Sequence, residues 1–391
     1  MSLLNLRERF GRPLRLGVVG GGPGVWIGEM HRSAAALDGW FRTTAGVFSS
    51  DSARSRAAGA TLGLEPGRSY GTVQEMLDAE AKRADGIDTV AVMTPNDTHY
   101  GYAAAALDAG LDVICDKPVT HDLAQALDLA GRSRAKDRIF AIAHAYSAYP
   151  MTRYARRLVH DGAIGAVRLV QVEYLQSSLA VRVEEGPANN RLRWVLDPQR
   201  SGQALVMSAI GCHAQHLACF VAGLTVARVA ADAGALVPGR QVIDHVSALI
   251  EFTGGARGTF TATQAAAGGE NDIRLRVYGE RGTLDWSHRD ASYLKLSLQG
   301  EPVRTIGRGD PFLPPEIVAL GRTPRGHPEG LREAFANLYA EVAQERIARA
   351  LGEPVPEFPY PRIEDGVHTM AFIEACLASQ ARQAWVAIAA T

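Results

Sequence analysis

The stretch Leu14-Arg-Leu-Gly-Val-Val-Gly-Gly-Gly-Pro-Gly-Val-Trp-Ile-Gly-Glu-Met-His31 reads as a short apolar strand, a glycine-rich turn and the start of a helix. A strand that feeds a helix through glycines opens a βαβ unit, and this reading decides the class of the amino-terminal half. Only glycine lets backbone amides approach a pyrophosphate closely, and a helix amino terminus favours its charge. Gly20 and Gly22 fill the first two places of a GxGxxG fingerprint, the third falls on Val25, and the next useful glycine is Gly28. The turn is read as a nucleotide fingerprint lengthened by three residues, with Gly24 inside its loop. The alternative is a tight connection that binds nothing.

Working outward, short apolar runs recur at 14–19, 43–48, 88–93, 111–115 and 138–144, with amphipathic segments such as 98–109 and 123–135 between them. Alternation of strand and helix predicts a doubly wound parallel sheet, whose ligands bind at the carboxyl ends of the strands. Three further segments fall at such ends. After the second run come Ser49, Ser50, Asp51 and Arg54: hydroxyls where an acid for the ribose is expected, and an arginine able to meet a 2′-phosphate. These lean towards NADP, while Asp51 shifted by one residue would serve NAD; a capped helix with an exposed arginine is the plainer reading. After the third run, Pro95 ends the strand, Asn96 can present an amide to a ligand, and Thr98 can cap the next helix. After the fourth comes Asp116-Lys117-Pro118, which places an ammonium where an apolar strand must stop, because proline cannot continue a central strand.

From Pro150 the texture changes. A helix is expected over 151–165, then strands at 166–178, 242–252, 258–266, 272–279 and 293–300, with alternation that predicts a large, mostly antiparallel sheet with one wet face. The stretch 307–330 holds too much glycine and proline for regular structure, whereas 329–352 and 363–390 have helical period.

Composition sets the limits. The 391 residues are 47% hydrophobic and 21% charged, enough for a large core and more than one domain. With 41 Lys and Arg against 42 Asp and Glu there is no electrostatic footprint for nucleic acid or an anionic membrane. Cys115, Cys212, Cys219 and Cys376 show neither CxxC nor zinc-like spacing, which suits a reducing compartment and predicts neither disulfide nor metal site. No apolar run approaches the roughly 18 residues of a membrane span, so a cytoplasmic protein is expected.

Taken together, the lengthened glycine turn with Gly28-Glu-Met-His31, TPNDTH (94–99), DVICDKPVT (112–120), the Trp194–Gly202 segment and Ser208-Ala-Ile-Gly-Cys-His-Ala-Gln-His216 resemble the Gfo/Idh/MocA family of NAD(P)-dependent oxidoreductases, over nearly the whole chain. The resemblance implies an N-terminal Rossmann-type dinucleotide-binding domain, bounded here at residues 1–148, and a C-terminal α/β domain with a large open sheet at 149–391. It implies action on a sugar, inositol or related polyol, and a homo-oligomer, dimer or tetramer. Lys117 matches the family lysine that binds the reacting hydroxyl, and His213 the histidine that moves the proton. The family's Glu-Lys-Pro is Asp-Lys-Pro here. The cofactor positions implied are Gly20, Gly22, Gly24, Gly28, Ser49, Ser50, Arg54, Thr94, Pro95, Asn96, His99, Asp116 and Lys117. Around the substrate the implied set is Lys117, His144, Tyr149, Arg153, Trp194, His213 and His216, with Tyr146 able to stack on a sugar face. One departure stands out. The family's usual aspartate four residues before the histidine is Ala209, which cannot accept a proton; this keeps open a dinucleotide-binding regulator without turnover, and a third reading is an NAD-dependent glycosidase.

Overall fold

The computed structural model describes residues 4–185, 195–202 and 204–388. The chain forms two compact units, and the first is discontinuous: Met1–Thr120 and Ala124–Ala145 are joined by Leu331–Gly366. The second comprises His121–Leu123, Tyr146–Gly330 and Val367–Thr391. Residues 331–366, placed in the second domain by the sequence reading, thus pack in the first. Helical period says which face of a segment is apolar but not which partner covers it.

In the first unit, strands β1 (Leu14–Gly20), β2 (Phe41–Val47), β3 (Thr89–Met93), β4 (Asp112–Cys115) and β5 (Phe140–Ile142) make a parallel sheet in the order β2-β1-β3-β4-β5. An isolated parallel bridge from Gly46 to Ser69 extends the β2 edge, and an antiparallel bridge from Ala141 to Arg362 closes the other. β3 and β4 are buried along their whole length, as parallel strands covered on both faces must be. Four helices among those beside the sheet matter here: α1 (Leu4–Phe10), α2 (Trp26–Leu37), α3 (Ser52–Thr61) and α4 (Val73–Glu80). They are followed by α5 (His99–Asp108) and α6 (Leu123–Ala135). The strand order turns back between β1 and β3, the place where such sheets open a ligand crevice at their carboxyl ends.

The second unit is built on nine strands among the described residues: β6 (Val167–Leu175), β7 (Val226–Gly234), β8 (His245–Phe252), β9 (Arg257–Thr263), β10 (Asp272–Gly279), β11 (Gly282–Ser287), β12 (Tyr293–Leu298), β13 (Arg304–Gly307) and β14 (Val386–Ala387). Their order is β13-β12-β11-β10-β6-β9-β8-β7-β14, and only β6 and β9 run parallel. Buried residues alternate along the central strands, as in Ile273, Leu275 and Val277 of β10, and helices α7 (Pro150–His160) and α8 (Cys212–Ala222) cover that face. The stretch 307–330 is irregular save for one turn at Pro315–Val318, as expected. It is nevertheless ordered from within: buried Arg308 donates to the carbonyls of Thr323 (2.9 Å) and His327 (2.6 Å) and pairs with buried Glu329 (3.1 Å).

Helix α9 (Leu331–Leu351) returns to the first unit, where Tyr339 meets His31 of α2 and Arg346 pairs with Asp112 at 2.9 Å. Buried Glu345 accepts from Tyr360 (2.6 Å) and Arg362 (2.7 Å), just ahead of α10 (Ile363–Arg382). Cys115, Cys212 and Cys376 are buried and Cys219 is half-buried, and among the described residues no helix is long and apolar enough to cross a membrane.

Candidate functional site

Four segments lie at the carboxyl ends of adjacent parallel strands in the first unit: the glycine turn after β1, Ser49–Asp51 after β2, Thr94–Asn96 after β3 and Asp116–Lys117 after β4. The turn is packed so tightly that side chains are excluded. A Cβ on Gly20 would lie 2.7 Å from the Met93 carbonyl oxygen, and one on Gly22 2.6 Å from that of Phe48. Gly28 is the decisive case, since its Cβ would sit 2.2 Å from the Gly21 carbonyl oxygen. It therefore performs the helix-to-turn packing of the fingerprint's third glycine, displaced by three residues as the sequence reading expects. Its partner Gly21 was not singled out from sequence. Gly24 has φ +78°, a left-handed conformation, with nothing within 4 Å of a Cβ. The Arg32 guanidinium donates to the Gly21 carbonyl and braces the turn from α2. A backbone turn that admits no Cβ at Gly20, Gly22 or Gly28, at the start of a 12-residue helix, fits a dinucleotide pyrophosphate.

Beyond the turn, Asp51 is the N-cap of α3 and accepts from the Arg54 amide at 2.8 Å, while the Arg54 side chain is 73% exposed. Ser49 Oγ accepts from the Asp51 amide at 3.1 Å, and Ser50 is exposed. Thr98 does not cap α5; its hydroxyl lies 2.7 Å from both Thr94 Oγ1 and the Pro95 carbonyl oxygen, tying the 94–98 turn to itself. Asn96 is buried. Both ring nitrogens of His99 face protein carbonyls, those of Pro118 and Thr94. Asp116 Oδ1 accepts from the Lys117 amide at 2.8 Å, and the Lys117 side chain is half-buried two residues past β4. His144, wholly buried, follows β5 in the same way.

The second unit assembles a ring cluster around Tyr146. His213, in the first turn of α8, meets Tyr146 edge to face at 5.0 Å, and His288 meets it likewise at 5.1 Å. Tyr149 stacks against Tyr146 at 6.2 Å and lies 5.7 Å from Trp286. The Tyr146 and Tyr174 hydroxyls are 2.6 Å apart. Burial pushes the Tyr146 hydroxyl up to about 12, and drives that of Tyr174 higher still, so both stay protonated. Burial also lowers His288, partly countered by its bond to the Asn271 carbonyl. Neutral His288 donates from Nδ1 to that carbonyl (3.2 Å) and accepts the Tyr149 hydroxyl proton at Nε2 (3.0 Å). Sequence reading missed His288, Trp286 and Tyr174; the two former come from β11 and the turn after it, a strand it did not identify.

Arg153 and His216 converge elsewhere, on Phe220: the Arg153 guanidinium is 5.2 Å from its ring centre and the His216 ring 5.8 Å. Trp194 lies outside the described residues. Ahead of α8, Met207–Gly211 is a π-helical turn, a form that recurs at functional sites and alters the spacing before His213. Ala209 packs against a buried apolar cluster of Leu179, Val195, Leu205 and Val242.

Comparison with known proteins places this geometry. Residues 14–144 match an oxidoreductase family with an NAD-binding Rossmann fold, and residues 152–285 match the GFO/IDH/MocA C-terminal domain. The chain belongs to the Gfo/Idh/MocA family. It is an NAD-binding oxidoreductase of that family. An uncharacterised oxidoreductase, YfiI of Bacillus subtilis, is 31% identical over 383 residues, covering 96% of this chain and 97% of the relative. The solved structure of an inositol dehydrogenase homolog from Azotobacter vinelandii, complexed with NAD+, is 34% identical with a TM-score of 0.92, covering 96% of this chain and 98% of its own. The same homolog complexed with NADH and myo-inositol superposes with a TM-score of 0.89 at 33% identity and equal coverage. Levoglucosan dehydrogenase of Pseudarthrobacter phenanthrenivorans is 25% identical over 311 residues, or 74% of this chain and 77% of that one. Like the Gfo/Idh/MocA relatives solved with dinucleotide, this chain has a parallel-sheet unit and a large mostly antiparallel sheet.

Proposed function

We propose that the protein oxidises a secondary hydroxyl of an inositol or sugar, or reduces the matching ketone, with Lys117 and His213 at the reacting centre. The observation that carries this reading is Lys117 at the carboxyl end of β4, in the sheet whose glycine turn excludes side chains at Gly20, Gly22 and Gly28. A relative that binds NADH and myo-inositol supports the substrate class. The nicotinamide, when bound, accepts or returns the hydride. The Lys117 ammonium would hold the reacting oxygen and offset the negative charge that develops as the carbon–hydrogen bond breaks. His213 would take the hydroxyl proton, a task suited to a group with an ordinary value near 6.5. Tyr146 and Tyr149 would offer ring faces and hydroxyls to a polyol, the second poised by His288.

The test is a panel of inositols, aldoses and anhydrosugars with NAD+ and NADP+, followed by nicotinamide absorbance. Lys117→Met should reduce kcat by about 10²-fold or more and leave dinucleotide binding measurable. Ala209 favours one second reading, a dinucleotide-binding regulator; it gains if wild type binds the cofactor tightly and turns over nothing on the panel.

The hydroxyls of Ser49 and Ser50 and the exposed guanidinium of Arg54 support NADP over NAD. Titration should give a lower Kd for NADPH than NADH, and Arg54→Ala should narrow the gap; tighter NADH binding by wild type reverses the assignment. We propose in addition that the chain is a homo-oligomer, joined through the open face of its large sheet.

A further inference from the structure

Asn271, the residue ahead of β10, stands exposed with φ +46°, a left-handed conformation that side chains rarely adopt and asparagine tolerates. Its two oxygens hold four donors. The carbonyl oxygen accepts from the Ile273 amide at 3.1 Å and from His288 Nδ1 at 3.2 Å. The side-chain Oδ1 accepts from Gln176 Nε2 and, at 3.4 Å, from the Tyr174 hydroxyl. Gln176 is itself oriented, since its Oε1 takes the Ser178 hydroxyl and Gln264 Nε2, both at 3.3 Å, and its amide hydrogens are left for Asn271. An ordinary turn residue needs only its backbone; this one engages the ring cluster with both oxygens.

The two limbs end on the two stacked tyrosines. Through Oδ1, Asn271 holds Tyr174, whose hydroxyl lies 2.6 Å from that of Tyr146. Through its carbonyl it holds His288, whose Nε2 lies 3.0 Å from the Tyr149 hydroxyl. A carbonyl oxygen only accepts, so the hydrogen of the neutral His288 ring sits on Nδ1, and the lone pair of Nε2 takes the Tyr149 hydrogen. Burial, which lowers His288, favours that neutral ring. Were residue 271 to turn its carbonyl away, the ring could carry its hydrogen on Nε2 and point it at the Tyr149 oxygen. The direction of that bond would reverse, and Tyr149 would offer a hydrogen where it now offers lone pairs.

We infer that Asn271 is a positioning residue for Tyr146 and Tyr149: its left-handed backbone fixes the His288 tautomer and with it the polarity of the Tyr149 hydroxyl, while its side chain anchors Tyr146 through Tyr174. A ligand group that meets the Tyr149 oxygen must then donate, as a hydroxyl does and a carboxylate or ketone oxygen does not. All these residues lie in the second unit, and the exposed position allows residue 271 to be changed without opening a core. The tautomer is a property of the free protein; only its consequence for substrate rests on the proposed dehydrogenase reading, in which the tyrosines meet a polyol.

Ring-nitrogen NMR of the full chain labelled with 15N-histidine, at neutral pH without cofactor, reads the tautomer, the His288 signal being identified by its loss in His288→Gln. His288 should show a protonated Nδ1 and a bare Nε2. Asn271→Gly keeps the left-handed backbone and should keep this pattern, whereas Asn271→Pro, whose ring fixes φ at about −65°, should lose it. Any other state of His288 in wild type, loss of the pattern in Asn271→Gly, or its survival in Asn271→Pro overturns the inference. Should Asn271→Pro fail to fold, the spectra of wild type and Asn271→Gly still decide. The side-chain limb is read on the substrate that the panel identifies. Asn271→Gly should raise KM about fivefold or more through the lost hydrogen bonds, with kcat and NADH affinity near wild type. Asn271→Asp, which keeps an acceptor oxygen and tolerates the left-handed region, should recover most of that loss. A wild-type KM in Asn271→Gly sinks the side chain's part. Absence of turnover on the panel would count against the proposed function, and the tautomer measurement, which needs neither substrate nor cofactor, would stand.

Discussion

At Gly28 a single hydrogen separates a fitting turn from a clash. Replacing it with alanine puts a Cβ within 2.2–2.5 Å of three Gly21 backbone atoms, all from main chain that cannot rotate away. Gly28→Ala should therefore lose about 1–3 kcal/mol of stability by overpacking, together with most of its dinucleotide affinity, as read by urea unfolding and fluorescence titration. Wild-type values for both would show that the turn is not rigid. Ala209 carries the opposite lesson. The sequence reading treats it as a lost acid, yet it packs half-buried against Leu179, Val195, Leu205 and Val242, so this position now borders an apolar cluster. Ala209→Asp should cost about 1–3 kcal/mol for burying a polar group without a partner, with no gain in turnover. A stable variant with raised kcat would instead mean that the acid's place is still open. Motif residues such as Gly20, Gly28 and Lys117 were legible because local sequence alone places Gly20 and Lys117 at strand ends and Gly28 at the start of the following helix. His288 was not, because its meeting with Tyr149 spans 139 positions.

Among the elements, the parallel strands and the helices between them followed from period and punctuation, and α6 was read to its observed bounds. Strands β7, β11, β13 and β14 were missed for physical reasons. β7 (Val226–Gly234) is rich in alanine, a helix former, and is a strand through its pairing with β8. β13 and β14 are only four and two residues long, too short to show alternation. The pairing of α2 with α9 is likewise non-local, and it has a pH signature. Burial lowers His31 below its ordinary value, and its neutral ring contacts Tyr339. A histidine lowered on folding leaves stability complete above its unfolded value near 6.5, and stability falls as acid protonates the unfolded chain in preference. Between pH 7.5 and 5.5 the unfolding free energy read by urea titration should drop, by at most about 1.4 kcal/mol per pH unit from this group. In His31→Gln the slope should flatten; an unchanged slope would assign it to other groups, among them His288, which burial also lowers.

For the molecule as a whole, composition and texture revealed two units and their sheet types, but not that residues 331–366 return to the first. What they also left open is the uncovered face of the nine-stranded sheet. Side chains there form a lattice of ion pairs across strands: Arg274 with Asp285 at 2.6 Å, Arg228 with Glu251 at 2.7 Å and Arg276 with Glu173 at 3.7 Å. Such pairs neutralise one another and leave the face wet without a strong net charge, which permits approach of a second copy. Towards one side of it, on the seventh strand of the nine, Leu249 of β8 is 55% exposed, opposite Ala230 of β7 and Thr259 of β9. A large exposed apolar side chain on a charge-balanced face is the kind of anchor an isologous interface uses twice. Light scattering after size exclusion should therefore give at least twice the 41.9 kDa chain mass. Leu249→Arg, which sets two guanidinium groups against each other across such an axis, should shift the protein towards the single-chain mass while circular dichroism stays unchanged. A wild-type mass of one chain at micromolar concentration would remove the oligomer, and a Leu249→Arg variant that stays assembled would move the interface to another face.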